Sequence, residues 1–185
     1  MAKAYVVLTA VGPDRVGIVD DIAGAVSAAG CNIEESKMAV LGGEFAVIML
    51  VSGAPGSVDS LARSLPATGG KLSLHVECRP TREPRAGEQG RPYLLEAVSL
   101  DTPGIVHSVT AILRSHGINI EDLETDTAAA PWTGAPMFRL KAHLIVGPST
   151  SIAGLKAELA RLQQEHDLDI SLKPVFASLP ESGGR

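Results

Sequence analysis

The sequence predicts an α+β protein in which the order βαββαβ occurs twice. Three observations carry that prediction: a gapless internal repeat, apolar periods that alternate between strand and helix, and a break rich in Pro and charge between the copies. Residues 14–34, DRVGIVDDIAGAVSAAGCNIE, align without a gap on residues 101–121, DTPGIVHSVTAILRSHGINIE. Asp14 falls on Asp101, Gly17-Ile18-Val19 on Gly104-Ile105-Val106, and Gly30 on Gly117. Asn32-Ile33-Glu34 falls on Asn119-Ile120-Glu121. The identities cluster at both ends of one helical stretch. The offset from Asp14 to Asp101 is too long for a solenoid repeat and suits a small domain.

The elements of the first copy follow in order. Ala4–Thr9 is an apolar strand, and Gly12-Pro13-Asp14-Arg15 reads as a turn. Val19, Ile22, Ala23, Val26 and Ala29 have helical spacing, and Gly30 is the expected C-terminal stop. Ile33–Val40 reads as a strand, with Leu41-Gly42-Gly43-Glu44 as a hairpin turn. Phe45–Val51 is apolar on both sides, as in a central strand whose second face is not fully exposed. Val58, Leu61, Ala62 and Leu65 mark a helix after Ser57. Leu72, Leu74, Val76 and Cys78 alternate with polar residues, as in a half-buried strand.

The second copy repeats the plan. Tyr93–Leu100 is a strand, and Val106, Val109, Ile112 and Leu113 line a helix that Gly117 ends. Asn119–Thr127 is a strand, followed by a longer hairpin, Ala128–Pro136, containing Trp132. Met137–Val146 carries Arg139, Lys141 and His143 on one face. Ile152, Leu155, Leu159 and Leu162 line a helix, and Leu168, Ile170 and Leu172 close the unit. Crossover helices after strands 1 and 3 favour two tandem ferredoxin-like βαββαβ domains, each with its helices on one face of a four-stranded sheet. The expected boundaries are 1–80 for the first domain, 81–92 for a Pro/Gly/charge-rich linker, 93–177 for the second domain and 178–185 for a frayed tail.

Composition narrows function. The chain has 185 residues, 45% hydrophobic, with 16 basic against 21 acidic side chains and a net charge of −5. There is no basic field to draw in nucleic acid, and aromatic residues, at 3%, are too few for a base-stacking platform. No apolar run is long enough to span a membrane, and no signal peptide opens the chain, so a cytoplasmic protein is expected. The two cysteines, Cys31 and Cys78, form no CxxC pair and read as small apolar side chains. The five histidines have neither HxH nor HExxH spacing, and no phosphate- or dinucleotide-binding glycine loop is present. Asp101, His107 and Ser108 are close in sequence, but no GxSxG elbow frames the serine. An enzyme, a metal site and a cofactor are therefore not expected.

The repeated loop is the candidate site. Free N–H groups at a helix N-terminus suit a carboxylate or phosphate. Gly17 and Gly104 lack a Cβ and would let a ligand come close. Asn32 and Asn119 offer donors and an acceptor, enough to hold an ammonium or a carboxylate. The same residues also admit a purely structural reading. In it Asp14, and Asp101 or Thr102, cap the helices, Pro103 takes the first helical position, and the Asn residues fix a turn. Arg15, opposite Thr102 in the repeat, could pair with a carboxylate or stay solvated. Val16 faces Pro103 and Asp20 faces His107, so the two loops need not take the same ligand.

Asp14-Arg15-Val16-Gly17-Ile18-Val19 followed by Gly30-x-Asn32-Ile33, recurring as Asp101-x-Pro103-Gly104-Ile105-Val106 and Gly117-x-Asn119-Ile120, resembles the ACT domain. Two such domains in tandem resemble the glycine cleavage system transcriptional repressor family. The resemblance implies a regulatory protein that binds a small amino acid, such as glycine, where domains pair. It places the contacts on Asp14, Arg15, Val16, Gly17, Ile18, Asn32 and Ile33, and on Asp101, Thr102, Pro103, Gly104, Ile105, Asn119 and Ile120. It also implies a DNA-binding activator as protein partner and no direct contact with nucleic acid. The two-sided apolar strand Phe45–Val51 and the open sheet edges predict that the two domains pair with each other or with a second chain, as a homo-oligomer, by burying sheet surface or joining edges. The alternative is a ligand-free interaction module that assembles with, or modulates, an enzyme.

Overall fold

The structure is a computed structural model that describes residues 3–83, 90–100, 102–130 and 134–175. The chain divides into two compact units, residues 1–85 and 86–185. The first contains β1 (Ala4–Pro13), α1 (Ile18–Ala28), β2 (Asn32–Leu41), β3 (Glu44–Gly53), α2 (Pro55–Lys71) and β4 (His75–Thr81). The second contains β5 (Arg91–Leu100), α3 (Ile105–Ser115), β6 (Asn119–Ala129), β7 (Pro136–Val146), α4 (Ile152–His166) and β8 (Asp169–Pro174). Both sheets are antiparallel, ordered β2-β3-β1-β4 and β6-β7-β5-β8. This is the tandem βαββαβ architecture that the periodicity predicts.

Strand alternation puts one side of each sheet into a core. In the first unit Val6, Leu8 and Ala10 of β1 and Phe45, Val47, Met49 and Val51 of β3 are buried beneath Ile18, Ile22 and Val26 of α1 and Val58, Leu61 and Leu65 of α2. In the second, Tyr93, Leu95 and Ala97 and Leu140, Ala142, Leu144 and Val146 do the same beneath Ile105, Val109 and Leu113 and Leu155, Leu159 and Leu162. Full burial of each large aliphatic side chain contributes about 1.5–3 kcal/mol.

The helix starts differ from expectation. Neither Asp14 nor Thr102 caps a helix, and Pro103 is not at the first helical position. The N-caps are Gly17 and Gly104, without a side-chain cap, and Asp101 lies outside the described residues. Beginning at Ile18 also rotates the inner face of α1. Ile18, Ile22 and Val26 are buried, whereas Val19 is exposed. α2 starts before Ser57, with Ala54 as N-cap and Pro55 in the first turn, where a missing N–H costs nothing. β4 starts only at His75, because Leu72 and Ser73 turn the chain and Ser73 is left-handed. β1 runs to Pro13, through most of the expected turn. Gly30 and Gly117 do end their helices, each with positive φ. Trp132 lies outside the described residues. Cys31 and Cys78 are half-buried free thiols, and burial pushes both thiol pKa values up.

The other side of each sheet faces away from the helices. From β2 to β4, successive rows of the first read Glu35, Leu50, Val7, Arg79; Lys37, Ile48, Thr9, Glu77; and Ala39, Ala46, Val11, His75. From β6 to β8, rows of the second read Asp122, His143, Leu94, Lys173; Glu124, Lys141, Glu96, Ser171; and Asp126, Arg139, Val98, Asp169. Among the described residues no helix is long and apolar enough to cross a membrane.

Candidate functional site

Each first loop is held open by its glycine. Gly17 has φ 92° and Gly104 has φ 98°, a left-handed conformation that L side chains rarely adopt. The first helical bonds run from Asp21 N–H to the Gly17 carbonyl and from Ser108 N–H to the Gly104 carbonyl, both at 2.9 Å. The amides of Ile18, Val19 and Asp20, and of Ile105, Val106 and His107, precede those bonds and carry the positive end of the helix dipole. A side chain at the cap would normally take one of these amides; here none does.

The two mouths differ in charge. Arg15 folds back over its own loop, with Nη2 2.7 Å from an Asp21 carboxylate oxygen and Nη1 donating to the Val16 carbonyl at 3.2 Å. Asp20 and Asp21 both lie in the first turn of α1, whereas α3 has no acidic residue there. An anion approaching α1 therefore meets two carboxylates and one guanidinium. At α3 it meets His107 and Ser108. Val16 is almost wholly exposed, while the side chains of Ile18 and Ile105 are buried and can offer only backbone to a ligand.

Asn32 and Asn119 sit elsewhere. Asn32 pairs in register with Ser52, and Ser52 with Tyr5, at the sheet end where β1 begins. The loop Asp14–Gly17 follows the other end of β1. The 11 residues of α1 separate the two groups by about 16 Å of helix rise. The second unit has the same layout, with Asn119 opposite Ile145, and Ile145 opposite Pro92. No unit brings its own loop and its own Asn together. Ile33 and Ile120 pack partly against their cores.

Sequence reasoning missed what surrounds Asn32. β2 is bulged between Ile33 and Glu35, and β6 between Ile120 and Asp122. The extra residue is Glu34 in one and Glu121 in the other, a placement that re-aims a side chain. The Glu34 carboxylate accepts from the buried Ser52 hydroxyl and, at 2.9 Å, from the Lys3 ammonium. Ser52 and then Lys3 hold its pKa below the usual carboxylate range, with a smaller contribution from Asn32. In the second unit Ile145 stands where Ser52 does and Gly90 where Lys3 does. A Cβ on Gly90 would fall 2.9 Å from the Val146 carbonyl oxygen, so no lysine fits. Grooves open beside these sheet ends: about 610 Å³ lined by Lys3, Tyr5, Val58, Asp59, Pro80 and Arg82 among others, and about 380 Å³ lined by Arg91, Tyr93, Pro148, Thr150 and Ile152 among others. Neither includes a first-loop residue. Among the described residues no cluster of His, Cys, Asp and Glu is arranged to hold a metal.

The ACT-domain family pattern matches residues 4–79. The glycine cleavage system transcriptional repressors of Escherichia coli K12 and Shigella flexneri are each 39% identical over 130 residues, covering 70% of this chain and 68% of theirs. This chain belongs to that repressor family. A crystal structure of an unknown protein from Galdieria sulphuraria superposes with a TM-score of 0.78 at 34% identity, covering 95% of this chain and 100% of the other. A second structure, assigned provisionally to the same repressor family, gives 0.73 at 26% identity, covering 95% and 99%. In this family context the chain is a regulatory ACT protein, and its relatives bear the name of repressors rather than of enzymes.

Proposed function

We infer that this repressor-family protein is a non-enzymatic cytoplasmic regulator. It senses a small amino acid, with glycine the first candidate, and modulates a DNA-binding activator without touching DNA itself. One observation carries the reading: the same uncapped helix mouth, opened by a left-handed glycine, is built twice in one chain. Such a mouth is complementary to the carboxylate of a zwitterion. The ammonium would go to Asn32 or Asn119, beside the bulged Glu34 or Glu121. Since a unit's own Asn is a helix length away, one unit offers only one end of the ligand, and the Asn must come from another ACT unit. The net charge of −5 supports a protein partner over direct DNA contact. The domain limits 1–80 and 93–177, with 81–92 as linker, are proposed on the same footing.

Titration calorimetry with a panel of amino acids tests the ligand. The wild type is expected to bind one of them, and Asn32→Ala or Asn119→Ala to weaken it by about 0.5–1.5 kcal/mol, more if the ammonium is left unpaired. At 100 times its dissociation constant the ligand should add about 2.7 kcal/mol of stability. Absence of binding in the millimolar range would favour the ligand-free interaction module. Tight, salt-sensitive binding to duplex DNA would overturn the partner assignment.

A further inference from the structure

The solvent side of the first unit's sheet has an apolar centre and charged margins. Ile48 is 50% exposed and Val11 47%. Around them lie the partly exposed Val7, Thr9, Ala46 and Leu50. The margins are exposed and ordered: Glu35 then Lys37 on β2, and Arg79 then Glu77 at the same two levels on β4. Each row therefore ends in opposite charges, and the sign reverses from one row to the next.

We propose that this face is a homodimer surface, on which two copies stack their first-unit sheets about a two-fold axis running along the strands. Such an axis, placed over the line between β3 and β1, maps each row onto itself and exchanges its ends. Glu35 then meets the partner's Arg79, and Lys37 meets the partner's Glu77. Ile48 and Leu50 cover the partner's Thr9 and Val7. A two-fold axis across the strands, centred on the Ile48 row, would instead oppose Lys37 to the partner's Lys37 and Glu77 to the partner's Glu77. Like charges exclude that axis; one midway between the Leu50 and Ile48 rows would set Glu35 against the partner's Lys37 and Arg79 against the partner's Glu77, and the charge-exchange variants below separate it from the axis along the strands.

Twisted sheets stack about 30° from parallel, and an edge strand lies about 7 Å from the axis. The resulting offset is about 4 Å at the margins, against about 7 Å between rows, so the Glu, Lys and Arg side chains must lean along the strands to keep each row's own pairing. The second unit's face is less suited to this. The same operation would set Asp122 on the partner's Lys173 but Asp126 against the partner's Asp169, and its centre would be Lys141 facing the partner's Glu96, charges that must be desolvated rather than apolar side chains. That face already satisfies itself in part, with Arg139 holding Asp126 by two bonds of 2.7 and 3.0 Å. The first-unit face offers about 400 Å² in projection from each copy, below the usual size of a stable specific interface, so the dimer is a weak, transient one.

Sedimentation velocity of the full chain across a dilution series tests this. The wild type should pass from dimer to monomer over micromolar concentrations. Ile48→Asp should weaken association by roughly a hundredfold or more, because a carboxylate would be buried unpaired. Glu35→Lys should weaken it by roughly tenfold through like-charge opposition, and Glu35→Lys with Arg79→Glu should restore it. Glu35→Lys with Lys37→Glu should not restore it. Circular dichroism confirms that each variant is folded. A wild type monomeric at 100 times those concentrations overturns the proposal. So does a dimer indifferent to Ile48→Asp, one broken by Lys141→Glu instead, or a folded Glu35→Lys/Arg79→Glu protein that stays monomeric.

Discussion

On the first sheet the solvent side of the central strands holds Val7, Thr9, Ala46, Ile48 and Leu50; at the equivalent places the second holds Leu94, Glu96, Arg139, Lys141 and His143. The helix sides of the same strands stay apolar in both units, with Leu8 matching Leu95 and Val6 matching Tyr93. The fold requires a core on one side of a sheet and leaves the other side free. The core therefore reports the architecture, while the solvent side reports what each unit meets. One unit's solvent face has an apolar centre with charges at its margins, the other carries charge across its centre, where Arg139 holds Asp126.

The largest expected effects probe what the units share. Leu8→Ala and Leu95→Ala remove equivalent side chains that are both 0% exposed, and each should cost about 2–5 kcal/mol in urea unfolding. A much smaller cost at one of them would show that the two cores are not equivalent. Next come the loop glycines. Gly17→Val and Gly104→Val force a β-branched residue into a left-handed backbone and should each cost about 1–3 kcal/mol of thermal stability. Equal losses would mark the mouths as structurally alike and leave the charges around them as the difference.

Smaller effects sharpen the contrast. Ser151 caps α4, its hydroxyl accepting from Gly154 N–H at 3.1 Å, whereas Ala54 at the matching start of α2 gives no side-chain cap. Ser151→Ala should cost about 0.5–2 kcal/mol, and Ala54→Ser should recover part of such a gain in the first unit. The smallest effect is pH-dependent. Ser52 and Lys3 depress the Glu34 pKa in the folded state, so that stabilisation is present above the ordinary glutamate value of about 4.3 and fades as pH falls through the folded value. Glu34→Gln should flatten the acid side of the stability profile. A carboxyl NMR titration placing Glu34 at or above ordinary glutamate would remove the basis for it.

Much of this was legible in the sequence because apolar periodicity is written redundantly. Alternation in β4 and β7 and the i, i+4 spacing of Ile22 with Val26 and of Leu155 with Leu159 each repeat the same message. The helix starts were not legible, because Asp14 and Thr102 are chemically good caps. What displaced them is a backbone conformation at Gly17 and Gly104, which no side chain announces. The bulges were hidden for a similar reason. Asn-Ile-Glu reads as ordinary strand, and only the pairing of Ile33 with Val51 and of Glu35 with Leu50 shows Glu34 to be supernumerary. Its recurrence as Glu121 was the available signal. The separation of each Asn from its own loop could be read from helix length.

The bulge also makes Glu34 a spare part. Since Ile33 and Glu35 already face neighbouring residues of β3, excising Glu34 would leave every later side chain of β2 on its present face and give an unbroken ladder. A one-residue loss inside β3, which has no such extra residue, would send alternate side chains across the sheet and bury Ile48 in place of Val47. The chain thus carries, at Glu34 and again at Glu121, a residue that strand pairing does not need. At Glu34 the extra residue delivers a carboxylate to the Ser52 hydroxyl and the Lys3 ammonium.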